Sequence, residues 1–148
     1  MGANERKYKR EKDLVDDFIK HLPDFIKQFN ILPYKKMFRE KFINPDFIDS
    51  NPPSWLVRMK RPPMVDLLLT HESKDFTLFE FKNKTSINEI SHGIGQLIVY
   101  EHCILRFYPD YRVKKILVAP DIPDILLDVD HINNFHICIL RWEDGKTK

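Results

Sequence analysis

The runs PMVDLLL (residues 63–69) and LFEFK (residues 78–82) each place charged residues inside a very apolar stretch. The charged residues are Asp66, Glu80 and Lys82. Moving an ionised carboxylate from water into apolar surroundings costs several kcal/mol unless a partner compensates its charge. These three residues therefore predict a metal or substrate site built on two strands.

The same stretch predicts a hairpin. We expect one strand over residues 64–70, a turn at the Glu-Ser-Lys-Asp segment 72–75, and a second strand over residues 76–82. Two strands joined by so short a segment should pair antiparallel.

Side chains alternate along a strand, so Glu80 and Lys82 should point to one face while Phe79 and Phe81 form core on the other. Cross-strand pairing can bring the carboxylate of Asp66 close to that of Glu80. A hard divalent cation such as Mg²⁺ or Mn²⁺ would relieve the repulsion between the two groups. An isolated Glu-x-Lys is more often a surface pair on an edge strand, but the apolar context favours a functional site.

A helix is predicted upstream of these strands. Apolar residues recur every three or four positions from Glu11 to Phe29, and Pro23 should kink or split this helix near Leu22. Glu11 projects from the buried stripe of the helix rather than from its outer face. It is therefore a further candidate acid.

A second helix is predicted from the capping-box pattern Ser-Ile-Asn-Glu at residues 86–89 towards Arg106. Gly93 and Gly95 lie inside it, and each costs roughly 1 kcal/mol relative to alanine in a helix interior. Close packing on the sheet, or close approach of a ligand, is the expected reason for both glycines.

Gln96 and Tyr100 are four residues apart on this helix and share one face. That face should stand beside the strand end that carries Lys82. Without the acids nearby, a solvated Gln96 and a core Tyr100 would be the better interpretation. His92 and His102, on the same helix, are more often structural than catalytic. His92 is the nearer to the expected site of Asp66 and Glu80 and is the one to test.

The remaining elements are predicted from apolar runs and from the Pro and Asn residues that mark the loops between them. We expect strands over residues 34–43, 113–119 and 135–140, a short strand or strand extension over 55–59, and a loop with a short helix over 120–130. Residues 1–10 form a basic, flexible N-terminus, and residues 142–148 form a polar tail that frays.

The chain has 148 residues, of which 43% are hydrophobic and 31% charged, which is typical of a single globular domain. Its net charge of +2 is too small to indicate a nucleic-acid-binding protein by itself. Cys103 and Cys138 lie in apolar sequence and are expected to be buried free thiols in a reducing, cytoplasmic compartment. No apolar run approaches the ~20 residues that a membrane span requires.

Other chemistries fit less well. His131, His136 and Cys138 have no standard zinc-ligand spacing. The sequence has neither a Gly-rich phosphate loop nor a Gly-x-Ser-x-Gly elbow, which argues against a nucleotide triphosphatase and a serine hydrolase.

The assembly resembles the PD-(D/E)XK nuclease superfamily over most of the chain. Asp66 matches the first acid of its pattern, residues 80–82 match the E-x-K, and residues 96–100 match the Q-x-x-x-Y signature of the RecB-like branch. Glu11 resembles the first-helix acid that often completes the metal site. One departure is that Met64-Val65, rather than an immediately preceding proline, leads into Asp66.

The resemblance implies an α/β restriction-endonuclease-like core with the order αβββαβ and a central mixed sheet flanked by helices. It also implies that Asp66 and Glu80, with Glu11 as an accessory acid, bind Mg²⁺ or Mn²⁺ and that Lys82 assists hydrolysis. Gln96 and Tyr100 would position the metal site or the DNA backbone. Basic residues near these elements are expected DNA contacts: Lys60, Arg61 and Lys84.

The sequence thus predicts a metal-dependent nuclease that hydrolyses DNA. Two rivals stay open. One is a catalytically inactive module of the same fold that binds nucleic acid or protein. The other is a subunit of a larger DNA-processing, mobile-element or defence complex, in which a partner protein or a second copy of the chain supplies target choice.

Overall fold

The computed structural model describes residues 8–43, 63–128, 136–143 and 146–147. The predicted strand segment at 55–59 lies outside these residues. The described strands form a mixed sheet that lies between two helical layers, as the sequence predicts.

The sheet runs in chain order from one edge to the other. Its strands are β1 (Tyr34–Phe42), β2 (Met64–His71), β3 (Asp75–Phe81), β4 (Arg112–Ala119), β5 (Ile137–Glu143) and β6 (Lys146–Thr147). Strands β1, β2 and β3 pair antiparallel, whereas β3, β4 and β5 pair parallel. The two-residue β6 pairs antiparallel with the end of β5. The predicted antiparallel hairpin is confirmed.

The helices are α1 (Glu11–Lys20), α2 (Leu22–Gln28) and α3 (Ile87–Phe107), with a short 3₁₀ helix at Asp124–Leu126. The predicted split near Leu22 is confirmed, because α1 ends at Lys20 and Pro23 lies in the first turn of α2. Proline is tolerated there because a first-turn N–H has no partner within the helix. The predicted cap of α3 is also confirmed: the backbone N–H of Glu89 donates to Oγ of Ser86 at 3.3 Å.

Both faces of the central strands are covered, which explains why the sequence of β2 and β3 is almost continuously apolar. On one face, Phe18 of α1 packs against Phe79 and Phe81, with ring centroids 5.3 Å from each. On the other face, Leu97 of α3 belongs to a buried cluster with Leu78 of β3. Strands β2 and β3, which carry Asp66 and Glu80, are therefore held in place by helices on both faces.

The prediction of a polar tail over residues 142–148 is wrong for residues 142 and 143. Strand β5 continues to Glu143, and Trp142 is only 2% exposed, with its ring centroid 4.9 Å from that of Phe18. Leu140 and Trp142 lie two residues apart and belong to the same buried cluster beneath α1. The polar residues that follow Trp142 concealed this alternation.

Two smaller expectations also need correction. Tyr8, in the supposedly flexible N-terminus, is buried, and its hydroxyl donates to Oδ2 of Asp17 at 2.7 Å. Both cysteines are free thiols, but neither is buried. Cys103 on α3 is half-buried, and Cys138 is exposed because burial alternates along β5. Among the described helices, none is long and apolar enough to span a membrane.

Candidate active site

The two predicted acids of the hairpin meet where β2 begins and β3 ends. The register pairs Leu67 with Phe79, which sets Asp66 opposite Glu80. The backbone N–H of Phe81 donates to Oδ2 of Asp66 at 2.9 Å. The charge of Asp66 raises the pKa of Glu80, which places the two carboxyl groups close together. The structure therefore brings together the carboxylate pair that the alternation predicts.

The surroundings of Asp66 and Glu80 disfavour the ionised form of both carboxyl groups. Only 4% of the Glu80 side chain is exposed. Burial, and next the charge of Asp66, raise the pKa of Glu80 to about 9. Burial likewise raises the pKa of Asp66, although the Phe81 hydrogen bond opposes the change. Oε2 of Glu80 is buried without a hydrogen-bond partner among the described residues. Without an added cation, the pair therefore favours holding a proton.

Lys82 follows directly after β3. Its backbone N–H donates to the carbonyl of Val118 at 3.0 Å, which extends the parallel pairing with β4 by one residue. Its side chain is 9% exposed, and Nζ lies 4.0 Å from Oε1 of Glu80. The prediction that Glu80 and Lys82 share one face is confirmed.

Glu11, the first residue of α1, belongs to the same electrostatic cluster. Burial, and next the charge of Asp66, raise the pKa of Glu11, while Lys82 and a hydrogen bond from the backbone of Asn83 lower it. Helix α1 therefore places the half-buried Glu11 near the carboxylates of Asp66 and Glu80, as its position on the buried stripe predicts.

Asn83 is a site residue that the sequence reasoning missed. It is buried, and its Nδ2 donates to the carbonyl of Tyr8 at 3.2 Å and to that of Lys9 at 3.4 Å. These contacts tie the segment before α1 to the end of β3. An asparagine directly after the E-x-K was the available signal.

Gln96 and Tyr100 share one face of α3, as predicted. Nε2 of Gln96 donates to the hydroxyl oxygen of Tyr100 at 3.2 Å. Burial, and next the charge of Glu80, raise the pKa of Tyr100 to about 12, so its phenol stays protonated at neutral pH. Oε1 of Gln96 is buried without a hydrogen-bond partner in the described part of the chain.

Glu40 on β1 is a further acid that was missed. It stands opposite Asp66, since Arg39 pairs with Leu67 and Lys41 with Val65. Its charge contributes, after burial, to the raised pKa of Asp66. Its φ of +51° lies in the left-handed region, which is uncommon for a residue with a side chain.

A cavity of about 180 Å³ lies between α1, β1 and β2 next to this acid. It is lined by Glu11, Lys12, Val15, Arg39, Glu40 and Asp66. Finding Glu40 from sequence would have required the β1–β2 register, which no local pattern specifies.

The carboxylate pair fits a hard divalent cation, because its donors are oxygens and one buried oxygen lacks a partner. Within the described ranges, however, no three His, Cys, Asp or Glu side chains are grouped so that they could hold a metal ion. A cation at Asp66 and Glu80 would therefore keep water or substrate oxygens among its ligands, as Mg²⁺ commonly does.

The other predicted residues are less informative. Lys84 is exposed in the connection between β3 and α3, and His92 and His102 are exposed on α3. Lys60 and Arg61 lie outside the described residues. His131 also lies outside them. The other two residues of the discounted zinc cluster, His136 and Cys138, are both exposed.

No protein-family model matches the chain, and a search of curated proteins finds no match either. Among solved structures, the chain is similar to a repair endonuclease from Pyrococcus abyssi, with a TM-score of 0.56 and 17% sequence identity. The match covers 93% of this chain but 49% of the endonuclease, so the chain spans about half the length of that protein. The chain thus shares its fold with that endonuclease, which confirms the expected α/β core with a central mixed sheet flanked by helices.

Proposed function

We propose that the chain is a divalent-metal-dependent nuclease that hydrolyses phosphodiester bonds in DNA. The observation that carries the proposal is the buried pair of Asp66 and Glu80, with one carboxylate oxygen unpartnered and a lysine 4.0 Å away. Such a pair is costly to the fold by itself, and a divalent cation held by its oxygens would offset that cost.

In this proposal Asp66 and Glu80 would hold Mg²⁺ or Mn²⁺, and Glu11 would be an accessory acid that adds negative charge or orients a water. When bound, the metal supplies a Lewis acid and a water whose pKa is lowered towards neutrality. The Phe81 hydrogen bond keeps one oxygen of Asp66 fixed, which leaves the other oxygen for the cation.

Lys82 supplies the positive charge that the attacked phosphate requires. Negative charge grows on the phosphoryl oxygens as the bond to the attacking water forms, and a fixed ammonium stabilises that charge. The ammonium lies beside Glu80 on a side chain that is largely buried. It therefore needs little reorganisation during the reaction.

Gln96 and Tyr100 would orient the same centre from the side of α3. Because Tyr100 remains a phenol, it can donate a hydrogen bond to a phosphate oxygen or to a water. Membership of the RecB-like branch with its Q-x-x-x-Y signature is part of this proposal. DNA contacts by Lys60, Arg61 and Lys84 are a further part.

The test is cleavage of supercoiled, linear, single-stranded and branched DNA by the purified chain, with Mg²⁺, Mn²⁺ or EDTA. We expect Mg²⁺-dependent cleavage that Asp66→Asn, Glu80→Gln and Lys82→Ala each reduce about 100-fold or more. Glu72→Gln and Lys27→Ala, at exposed positions, serve as charge-matched controls and should retain activity. Undiminished cleavage in EDTA, or by both Glu80→Gln and Lys82→Ala, would contradict the proposal.

A second candidate is a module that depends on a partner to choose or cut its target. The match covers 49% of the endonuclease, so an activity that needs the remaining half would require a partner or a further segment of chain. Light scattering and cleavage by the isolated chain separate the two. A monomer that cleaves generic DNA by itself argues against the partner-dependent alternative, whereas cleavage that appears only in a dimer or with an added protein supports it.

A further inference from the structure

Gly93 of α3 lies beside the stem of Lys82, the proposed catalytic lysine. A Cβ atom placed on Gly93 would lie 3.2 Å from Cε and 3.3 Å from Cγ of Lys82, and 2.7 Å from Cδ1 of Leu117. The last distance is shorter than real side chains tolerate. The missing side chain therefore lets the helix lie directly on the stem of Lys82.

Gly95 differs sharply from Gly93, although it lies two residues away on the same helix. A Cβ atom placed on Gly95 would meet nothing within 4 Å. The expectation of close packing is thus confirmed for Gly93 and wrong for Gly95. Two residues are about 200° apart around a helix, so Gly95 lies on the exposed side. The chain offers its own matched control.

The side chain of Lys82 has high conformational entropy unless its surroundings confine it. A lysine side chain has four rotatable bonds, so its ammonium occupies one place only when packing confines the stem. Here a Cβ atom on Gly93 would meet the stem at both Cγ and Cε, and Nζ lies 4.0 Å from Oε1 of Glu80.

We propose that Gly93 is a positioning residue for Lys82: its lack of a side chain lets α3 confine the lysine stem so that the ammonium stays beside Glu80. The inference rests on the proposed nuclease function for its effect on cleavage. Its effect on the position of Lys82 stands apart from any reaction.

The substitution Gly93→Ala creates a steric clash that two different movements could relieve. Leu117 is fully buried on β4 and cannot turn into solvent, so either α3 lifts or the Lys82 stem shifts by a few tenths of an ångström. Gln96 and Tyr100 follow at three and seven residues on the same helix, so lifting would move them as well.

The experiment compares Gly93→Ala, Gly95→Ala, Leu117→Val and the double variant Gly93→Ala with Leu117→Val. The double variant removes Cδ1, and with it the 2.7 Å clash, but keeps both contacts on Lys82. Steady-state cleavage is expected to show kcat lower by about 10- to 100-fold with little change in KM for both variants that carry Gly93→Ala. Gly95→Ala and Leu117→Val should retain the wild-type kcat.

A second readout does not depend on catalysis. In protein labelled with ¹³C-lysine, the ε-methylene signal of Lys82 is identified by its loss in Lys82→Met. We expect this signal to shift in both variants carrying Gly93→Ala and to stay in place in Gly95→Ala. If Gly93→Ala alone fails to fold, the double variant carries the test.

Two results would overturn the inference. One is a Gly93→Ala protein with wild-type kcat and an unshifted Lys82 signal. The other is full recovery of both properties in the double variant, since Leu117 packing would then be the only need for glycine. A wild-type chain that cleaves nothing, but whose Lys82 signal shifts in Gly93→Ala, supports the positioning role and contradicts the nuclease proposal.

Discussion

The backbone N–H of Phe81 donates a 2.9 Å hydrogen bond to Oδ2 of Asp66, so the acid on β2 is held by the strand that carries Glu80. Phe81 is fully buried, and its N–H needs an acceptor. Asp66 therefore serves the fold as well as the proposed site, and substitutions there separate the two roles.

Asp66→Asn and Asp66→Ala should differ in stability. Asparagine keeps an oxygen that can accept from Phe81 and removes the charge near Glu80, whereas alanine leaves the buried N–H without a partner. We expect the alanine variant to be less stable than the asparagine variant by about 1–3 kcal/mol in urea denaturation. Equal stability of the two variants would show that the hydrogen bond contributes nothing.

The metal-free protein should lose stability as the pH rises. The pKa of Glu80 is about 9 in the fold, chiefly through burial, and close to its ordinary value of 4.5 when unfolded. Between these two values the folded state binds the extra proton, so the free energy of unfolding falls with increasing pH. Thermal denaturation in EDTA from pH 5 to pH 9 measures the trend.

Glu80→Gln should flatten that profile because it removes the titrating group. We expect the variant to be more stable than the wild type at pH 8 without metal, by about 1–2 kcal/mol or a few degrees in Tm. Mg²⁺ should raise the Tm of the wild type and not that of the variant. A wild-type profile that rises with pH would contradict the assigned environment of Glu80.

Asn83→Ala should loosen the start of α1. The variant loses the donors to the carbonyls of Tyr8 and Lys9. We expect faster hydrogen exchange in the segment around Glu11 and about tenfold slower cleavage, because a misplaced catalytic group lowers the rate. Asn88→Ala, at an exposed position on α3, is the control and should change neither measurement.

Trp142→Ala tests the corrected C-terminal boundary. Because Trp142 is buried against Phe18, its truncation should cost about 3–5 kcal/mol, as for other large-to-small core substitutions. Chemical denaturation measures the loss. A change below about 0.5 kcal/mol, typical of surface positions, would return residue 142 to a solvent-exposed tail.

Much of the fold was predictable because its signals are local. The period of apolar residues located α1 and α2, Pro23 marked their boundary, and the Ser86–Glu89 pattern located the start of α3. The charged residues in apolar strands identified Asp66, Glu80 and Lys82 because alternation along a strand needs no knowledge of the sheet.

The missed residues depend on contacts between distant segments. Glu40 faces Asp66 only through the β1–β2 register, and Asn83 acts through carbonyls of the segment before α1. The difference between Gly93 and Gly95 follows from how α3 is rotated on the sheet, which the helical pattern alone does not determine. Trp142 was assigned to a tail because its polar neighbours outweighed a single apolar residue.

The central claim is that Asp66 and Glu80 form a site for a divalent cation, and Mn²⁺ titration followed by electron paramagnetic resonance tests it most directly. The account predicts saturable binding by the wild type that Asp66→Asn and Glu80→Gln each weaken about tenfold or more, a scale typical of lost metal-site groups, with Glu72→Gln unchanged. Equal Mn²⁺ binding by all four proteins, or no binding by the wild type, would contradict it.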